Sequence, residues 1–146
     1  MRETEGTKMF DDISSRLGTI EKLVQFVEKK TPSVNEAYKE KLYAKIKEVV
    51  GDRNIDDSRV LTEVAVFSEK TAVDEETVRL HSHIAQFRQL IDSGEPVGRK
   101  LDFLVQEMNR EVNTTGSKCS DLDITKTVVD MKSEIEKIRE QIQNIE

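Results

Sequence analysis

The sequence predicts an all-α protein, an elongated bundle of about six helices with an N-terminal helical hairpin and a long C-terminal helix. Charged residues make up 36% of the 146 residues and aromatic residues only 5%, whereas strands favour β-branched and aromatic side chains. Only two prolines and six glycines are present, so few positions interrupt a helix. The apolar residues also recur at three- and four-residue steps, which is the helical period. These three observations favour helices over a sheet.

The first two predicted helices form the hairpin. Residues 1–30 carry a narrow apolar seam of the coiled-coil kind, made of Phe10, Ile13, Leu17, Ile20, Val24 and Val27. Pro32 predicts the end of this helix, because proline has no backbone N–H for a helix interior. Ser33 begins a capping-box pattern for a second helix over 34–50. Gly51 is expected to end that second helix.

Two further helices follow a short polar link. The third, over about 57–70, has a nearly all-apolar face and is expected to be well buried; this face contains Val60, Leu61, Val64, Ala65 and Phe67. The fourth begins at Asp74, a good N-cap residue, and its apolar stripe contains Leu80, Ile84, Phe87 and Ile91. We divide the chain into a hairpin domain, 1–55, and a C-terminal domain, 56–146.

The fifth helix, 97–118, is the one around which the chain is organised. Its apolar stripe contains Val97, Leu101, Leu104, Val105, Met108 and Val112, and Gly116 is expected to form its C-cap. Phe103 falls on almost the opposite side. Glu107 and Glu111 are four residues apart and repel each other. A bound cation or a basic residue, of which Lys100 and Arg110 are nearest in sequence, should compensate them.

The last helix is predicted to begin at the N-cap Ser120 and to reach the C-terminus. Its seam follows strict four- and three-residue steps through Ile124, Val128, Met131, Ile135, Ile138, Ile142 and Ile145. A seam this long needs another helix along its length. We therefore predict self-association, unless the first and last helices pack on each other within one chain.

Composition restricts the classes of function. No apolar run approaches the ~20 residues of a membrane span, and the polar start MRETEGTK has no secretory h-region. A single cysteine, Cys119, favours a reducing compartment. The net charge of −6 argues against a protein that binds nucleic acid through its overall charge, but allows a local patch or a metal to do so.

Two groups of residues carry the candidate chemistry. His81 and His83 point to opposite sides of a helix, so they cannot share one metal. His83 is either a satisfied histidine at the edge of the core or an acid–base group. Glu107 and Glu111 are either part of a solvated, ion-paired face or the ligands of a divalent cation, beside which Arg110 would bind a phosphate. Spacing alone leaves both alternatives open.

Three motifs carry a resemblance to a known family. The run GRKLDFLVQEMNREVNTTGSK, with VRLHSHIAQF before it and SEIEKIREQIQNIE after it, resembles the C-terminal domain of the YicC family of bacterial endoribonucleases. The resemblance implies a cytoplasmic, metal-dependent RNase that uses Mn²⁺ or Mg²⁺ and assembles as a ring-like hexamer. Family members carry a further N-terminal domain about as large as this chain, so we expect a C-terminal part whose activity alone is in question.

The resemblance also implies the site residues. The matching motifs contain His83, Gln86, Arg99, Lys100, Asp102, Gln106, Glu107, Arg110, Glu111 and Asn113. Among these we assign catalysis to His83, Glu107 and Glu111, and metal binding to Glu107, Glu111 and Asp102. RNA or phosphate binding is assigned to Arg99, Lys100, Gln106, Arg110 and Asn113. The alternative is a non-enzymatic helical scaffold for oligomerisation or partner binding, which would not need His83 to meet the two glutamates in one cleft.

Overall fold

The computed structural model describes residues 2–51, 53–94 and 98–144, with only the backbone described for residues 2–5. Within these ranges it contains five helices and no strand. The helices are α1 (Arg2–Val50), α2 (Asp57–Lys70), α3 (Asp74–Asp92), α4 (Gly98–Lys118) and α5 (Leu122–Gln143). The all-α prediction is therefore confirmed, and the prediction of six helices is wrong.

Four helices form a bundle in which each contacts the next. The N-terminal part of α1 packs on α5, α5 on α4, α4 on α3, and α3 returns to α1. Short connections between α3, α4 and α5 make these neighbours antiparallel, as is usual in up-and-down bundles. The site described below lies on the α3–α4 side of this bundle.

The two long seams of the sequence cover each other. The seam of α1 from Ile13 to Val27 and the seam of α5 from Ile124 to Ile142 both lie in one buried core. At the edges of this contact, Arg16 donates to Glu134 at 3.0 Å and Lys30 lies 3.3 Å from Asp123. Because the chain satisfies both seams by itself, they do not require self-association, which stays a prediction. Ile145 lies outside the described residues.

The predicted hairpin within residues 1–55 is wrong, because residues 2–50 form one helix. Pro32 lies inside α1 at an exposed position, where water can solvate the Glu28 carbonyl that proline leaves without a donor. Ser33 donates its hydroxyl to the Lys30 carbonyl at 2.7 Å rather than capping a new helix. The division at residue 55 stays a prediction, although the core takes residues from both sides of it.

A different hairpin exists between the C-terminal half of α1 and α2. Gly51, with φ 64°, ends α1 as predicted, and α2 returns along it. The rings of Tyr38 and Phe67 stack with centroids 3.8 Å apart. The expectation that α2 is well buried is wrong: Val60 is its only buried residue, and Leu61 is 53% exposed. Its main contact is with α1 alone.

Three predicted helix ends shift. Gly116 is not a C-cap, because α4 continues to Lys118; instead, a Cβ at Gly116 would lie 3.1 Å from Val128 Cγ1, so glycine allows α4 and α5 to approach closely. Asp121, rather than Ser120, caps α5 by accepting the amide of Ile124. Asp74 is the first residue of α3, after the cap position Val73. Val97 lies outside the described residues.

The remaining apolar predictions for α3, α4 and α5 are confirmed by burial. Leu80, Ile84 and Phe87 of α3 are fully or almost fully buried, as are Leu101 and Met108 of α4. In the described part of the chain, none of the helices has the length and apolar character needed to cross a membrane.

Candidate functional site

Three ligand-type side chains converge where α3 and α4 face each other. His83 comes from α3, and Glu107 and Glu111 come from one edge of α4, where four-residue spacing aligns them. One ring nitrogen of His83 and one oxygen of each carboxylate all lie within 4.8 Å of one another. Among the described residues this is the one such group of histidine, cysteine and carboxylate side chains. We call these three residues the α3–α4 cluster.

The cluster contains polar atoms that the protein leaves unpaired. Both ring nitrogens of His83 are buried, and neither has a hydrogen-bond partner. Buried polar atoms are nearly always hydrogen-bonded, and an exception calls for an explanation such as an ion. Glu107 has no ion pair or hydrogen bond with any described side chain, and it is only half-buried. The α3–α4 cluster therefore has free lone pairs on both helices.

Arg79 balances the buried carboxylate of the cluster. Glu111 is 5% exposed, and its Oε1 accepts a hydrogen bond of 2.8 Å from Arg79 Nε, one turn before His83 on α3. This bond to Glu111 raises the pKa of the Arg79 guanidinium. The expectation that a basic residue compensates the glutamates is therefore confirmed for Glu111, but the residue is Arg79 and not Lys100 or Arg110. Both side chains are exposed and form no ion pair with any described residue.

A second buried carboxylate lies beside Arg79. Glu76 is 2% exposed; its Oε1 accepts a 2.7 Å hydrogen bond from Lys118 Nζ and lies 3.6 Å from Arg79 Nη2. Burial acts to raise the pKa of Glu76, but the bond from Lys118 and the charges of both basic residues bring it below its usual value. These contacts join the start of α3 to the end of α4 and fix the position of Arg79.

His81 makes a different contact from His83. Its Nε2 lies 2.7 Å from Glu28 Oε1, so it connects α3 to α1 on a separate face of the helix. The prediction that the two histidines diverge is thus confirmed. His81 provides a natural control for any test of His83.

Asp102 and Gln106 lie on another face of α4. The Gln106 amide donates to Asp102 Oδ2 at 3.1 Å, and Asp102 lines a depression with Ile142 near the end of α5. The structure does not bring Asp102 into the α3–α4 cluster. Arg99, Arg110 and Asn113 are exposed on the outer surface of α4.

An open groove lies between α3 and α4, near the α3–α4 cluster. It has a volume of about 490 Å³ and is lined by Gln86, Gln89, Leu90, Arg99, Lys100, Phe103 and Leu104. Phe103 is 59% exposed, so no described element of the chain covers it. Phe103 precedes Glu107 by four residues, a rise of about 6 Å. The groove therefore begins about one helical turn from the α3–α4 cluster.

The donor set fits a divalent cation. One imidazole and two carboxylates are ligands that manganese accepts readily, and carboxylates also suit magnesium. The unpaired nitrogens of His83 and the unpaired Glu107 carboxylate supply lone pairs without breaking the Arg79–Glu111 bond. The residues of the cluster therefore fit the metal that the family resemblance implies.

Sequence reasoning missed the basic residues that support the cluster. Arg79 lies four residues before His83, so both occupy one face of α3. That spacing was visible in the sequence, whereas the pairing of Arg79 with Glu111, and of Lys118 with Glu76, depends on how α3 and α4 pack. A search for charges on the His83 face would have found Arg79.

Comparisons with known proteins agree with the resemblance. A family model described as "Endoribonuclease YicC-like, C-terminal" matches residues 27–146. The chain is 50% identical over 147 residues to a protein of Clostridioides difficile (strain 630) named "Probable endoribonuclease YicC". It is 39% identical over 146 residues to a protein of the same name from Haemophilus influenzae (strain ATCC 51907 / DSM 11121 / KW20 / Rd). Each match covers 100% of this chain and 50% of the relative. The chain thus spans about half the length of these relatives.

Proposed function

This chain belongs to the YicC-like endoribonuclease family, and we propose that it holds the divalent cation at which RNA phosphodiester bonds are cleaved. The observation that carries the proposal is the convergence of His83, Glu107 and Glu111 within 4.8 Å. These residues come from two helices and lie beside an open groove. The scaffold alternative gives no reason for three ligand-type side chains to meet there.

His83, Glu107 and Glu111 would bind the cation directly. A bound divalent cation would stabilise the negative charge that develops on the phosphate during cleavage. We assign His83 to metal binding rather than to acid–base catalysis, because both of its ring nitrogens are buried and unpaired. Arg79 fixes the orientation of the Glu111 carboxylate through the 2.8 Å bond.

Exposed basic residues on α4 would bind the RNA backbone. Arg99, Lys100 and Arg110 form no ion pair with a described residue, so their charges are available to phosphates. Gln106 and Asn113 extend the same outer surface and can donate hydrogen bonds to phosphate or ribose. This local positive surface offsets the net charge of −6 of the whole chain.

Assembly and location belong to the same proposal. The family resemblance suggests a cytoplasmic homo-oligomer, a hexamer in the longer protein. The seams of α1 and α5 are already covered within the chain, so subunit contacts would have to use other surfaces. Leu61 on α2 and Leu122 on α5 are more than half exposed and are candidates for such contacts.

The test combines Mn²⁺ binding with RNA cleavage. Mn²⁺ affinity is measured by calorimetry, and cleavage of a 5′-labelled RNA is followed with Mn²⁺, Mg²⁺ or EDTA. His83→Asn and Glu107→Gln should each lower both quantities by more than about 100-fold, the upper range for outer-shell partners of a metal. The matched controls are His81→Asn and Glu140→Gln, which alter exposed or half-exposed side chains outside the α3–α4 cluster.

The same substitutions are made at the aligned positions of the full-length Clostridioides difficile relative. In one outcome, both proteins bind Mn²⁺ and only the full-length relative cleaves RNA. That result would assign metal binding to the part of the relative that this chain matches, and would show that cleavage also needs the remaining part of the relative. Unchanged Mn²⁺ affinity in His83→Asn and Glu107→Gln would refute the metal site. The endoribonuclease activity would then require a different centre.

A further inference from the structure

The groove beside the α3–α4 cluster contains a side chain that metal binding does not explain. Phe103 is 59% exposed, although it lies in the first half of a helix whose other large apolar residues are buried. The apolar residues Leu90 and Leu104 and the amide residues Gln86 and Gln89 also line the groove. A volume of about 490 Å³ is within the range of small-molecule sites.

The charges around the groove select the kind of ligand. Arg99 and Lys100 also line the groove and form no ion pair with any described residue. A ligand that fits must therefore be flat and apolar over Phe103 and anionic near the two basic residues. Nucleotides combine these properties, and single-stranded nucleic acids commonly stack bases on exposed aromatic side chains.

We propose that the groove binds the base of a nucleotide close to the cleaved phosphate, stacked on Phe103. This inference rests on the proposed function, because it places the base about one helical turn from the α3–α4 cluster. Gln86 and Gln89 can each donate and accept hydrogen bonds at the base edge. Arg99 and Lys100 neutralise the neighbouring phosphates. The substrate is therefore RNA with at least one unpaired base, since a base within a duplex cannot reach Phe103.

The test separates the contribution of the bases from that of the charges. Binding of a fluorescent single-stranded hexaribonucleotide in EDTA is compared with binding of an abasic ribose-phosphate chain of equal length. The parent should bind the RNA about 5- to 150-fold more tightly than the abasic chain, the range measured for stacking of one base. Phe103→Ala should lose most of this preference and bind the abasic chain as the parent does.

Three further variants test stacking itself. Phe103→Leu keeps apolar volume without an aromatic face and should behave like Phe103→Ala, whereas Phe103→Trp should keep the preference. Val129→Ala, which alters an exposed apolar residue of α5, is the matched control and should change nothing. Lys100→Gln should lower the affinity for both ligands equally. It should also reduce the slope of log affinity against log salt concentration by about 0.7.

Cross-linking gives an independent readout. In RNA that contains 4-thiouridine, the base should cross-link to the tryptic peptide 101–110, which contains Phe103. A cross-link confined to other peptides would contradict the placement of the base.

Other outcomes overturn the inference without affecting the metal site. A parent chain that binds neither ligand, or binds both equally, would exclude a base site here. A change of sedimentation coefficient in Phe103→Leu would instead identify the groove as a contact between copies of the chain. Conversely, the parent could prefer RNA over the abasic chain while Glu107→Gln keeps full Mn²⁺ affinity. The base site would then stand, and the proposed metal function would be refuted.

Discussion

Replacing Arg79 with methionine tests how the cluster is balanced electrostatically. Arg79 donates to Glu111 at 2.8 Å, and the Glu111 side chain is only 7% exposed. Methionine keeps much of the apolar stem of arginine but leaves the Glu111 carboxylate unpaired next to Glu107. A hydrogen bond to a charged group contributes about 1.5–3 kcal/mol. Because the Arg79 side chain is 46% exposed, water replaces part of the loss, and the lower half of this range applies.

The loss should be visible in unfolding experiments. At about 2–4 °C per kcal/mol for a chain of this size, Arg79→Met in EDTA should lower the melting temperature, followed by circular dichroism, by about 3–9 °C. The control Arg88→Met, on the same helix, removes a 2.9 Å bond to the half-buried Glu21 on α1. Arg88→Met should lower the free energy of unfolding by about 1 kcal/mol or less.

The response to Mn²⁺ separates this electrostatic effect from a simple loss of packing. Mn²⁺ at about 100 times its dissociation constant stabilises a folded protein by about 2.7 kcal/mol. In Arg79→Met the cation would also relieve the repulsion between Glu107 and Glu111, so Mn²⁺ should raise its melting temperature more than that of the parent. Arg88→Met should respond as the parent does. Equal melting temperatures of Arg79→Met and the parent in EDTA would refute the role assigned to Arg79.

Three other predictions follow from the helices themselves. Gly116→Ala should destabilise the fold by up to about 2 kcal/mol, measured by urea unfolding. The new Cβ would lie 3.1 Å from Val128 Cγ1, and this overpacking outweighs the ~1 kcal/mol gain in helix propensity. Adding Val128→Ala should remove the steric part of the loss. Pro32→Ala should raise the melting temperature, since proline in a helix interior is about 3 kcal/mol less favourable than alanine; a lower melting temperature would indicate that the chain is not helical across this position. The pKa of Glu76 lies below its usual value of 4.5 in the fold, so its ionisation stabilises the fold above that pH and the contribution is lost as pH falls through the lowered pKa. Glu76→Gln should therefore reduce the acid dependence of unfolding, whereas a slope equal to that of the parent would contradict the Glu76–Lys118 pair.

The sequence determined that the chain is helical and which faces of α3, α4 and α5 are buried, because helical periodicity fixes which side of each helix is apolar. The stripes of α3, α4 and α5 were predicted from this period, and so was the position of Phe103 on the opposite side of α4. Local rules were less successful where tertiary packing competed with them. Pro32 did not end α1, because tertiary contacts hold the helix on both sides of it. The part of α1 before Pro32 packs on α3 and α5, and the part after it packs on α2. Gly116 had the sequence of a C-cap but serves as a close contact between helices.

The candidate site divides in the same way. The sequence placed Glu107 and Glu111 on one edge of a helix, since four-residue spacing alone aligns side chains. It also identified His83 as the histidine to test. Only the antiparallel packing of α3 on α4 brought His83 to the glutamates and paired Arg79 with Glu111. Asp102 lies on another face because five residues separate it from Glu107, about 140° around the helix axis. Periodicity specifies the direction of a side chain relative to its own helix axis. Which helix it meets depends on burying all the apolar stripes together, and that is decided by the whole bundle.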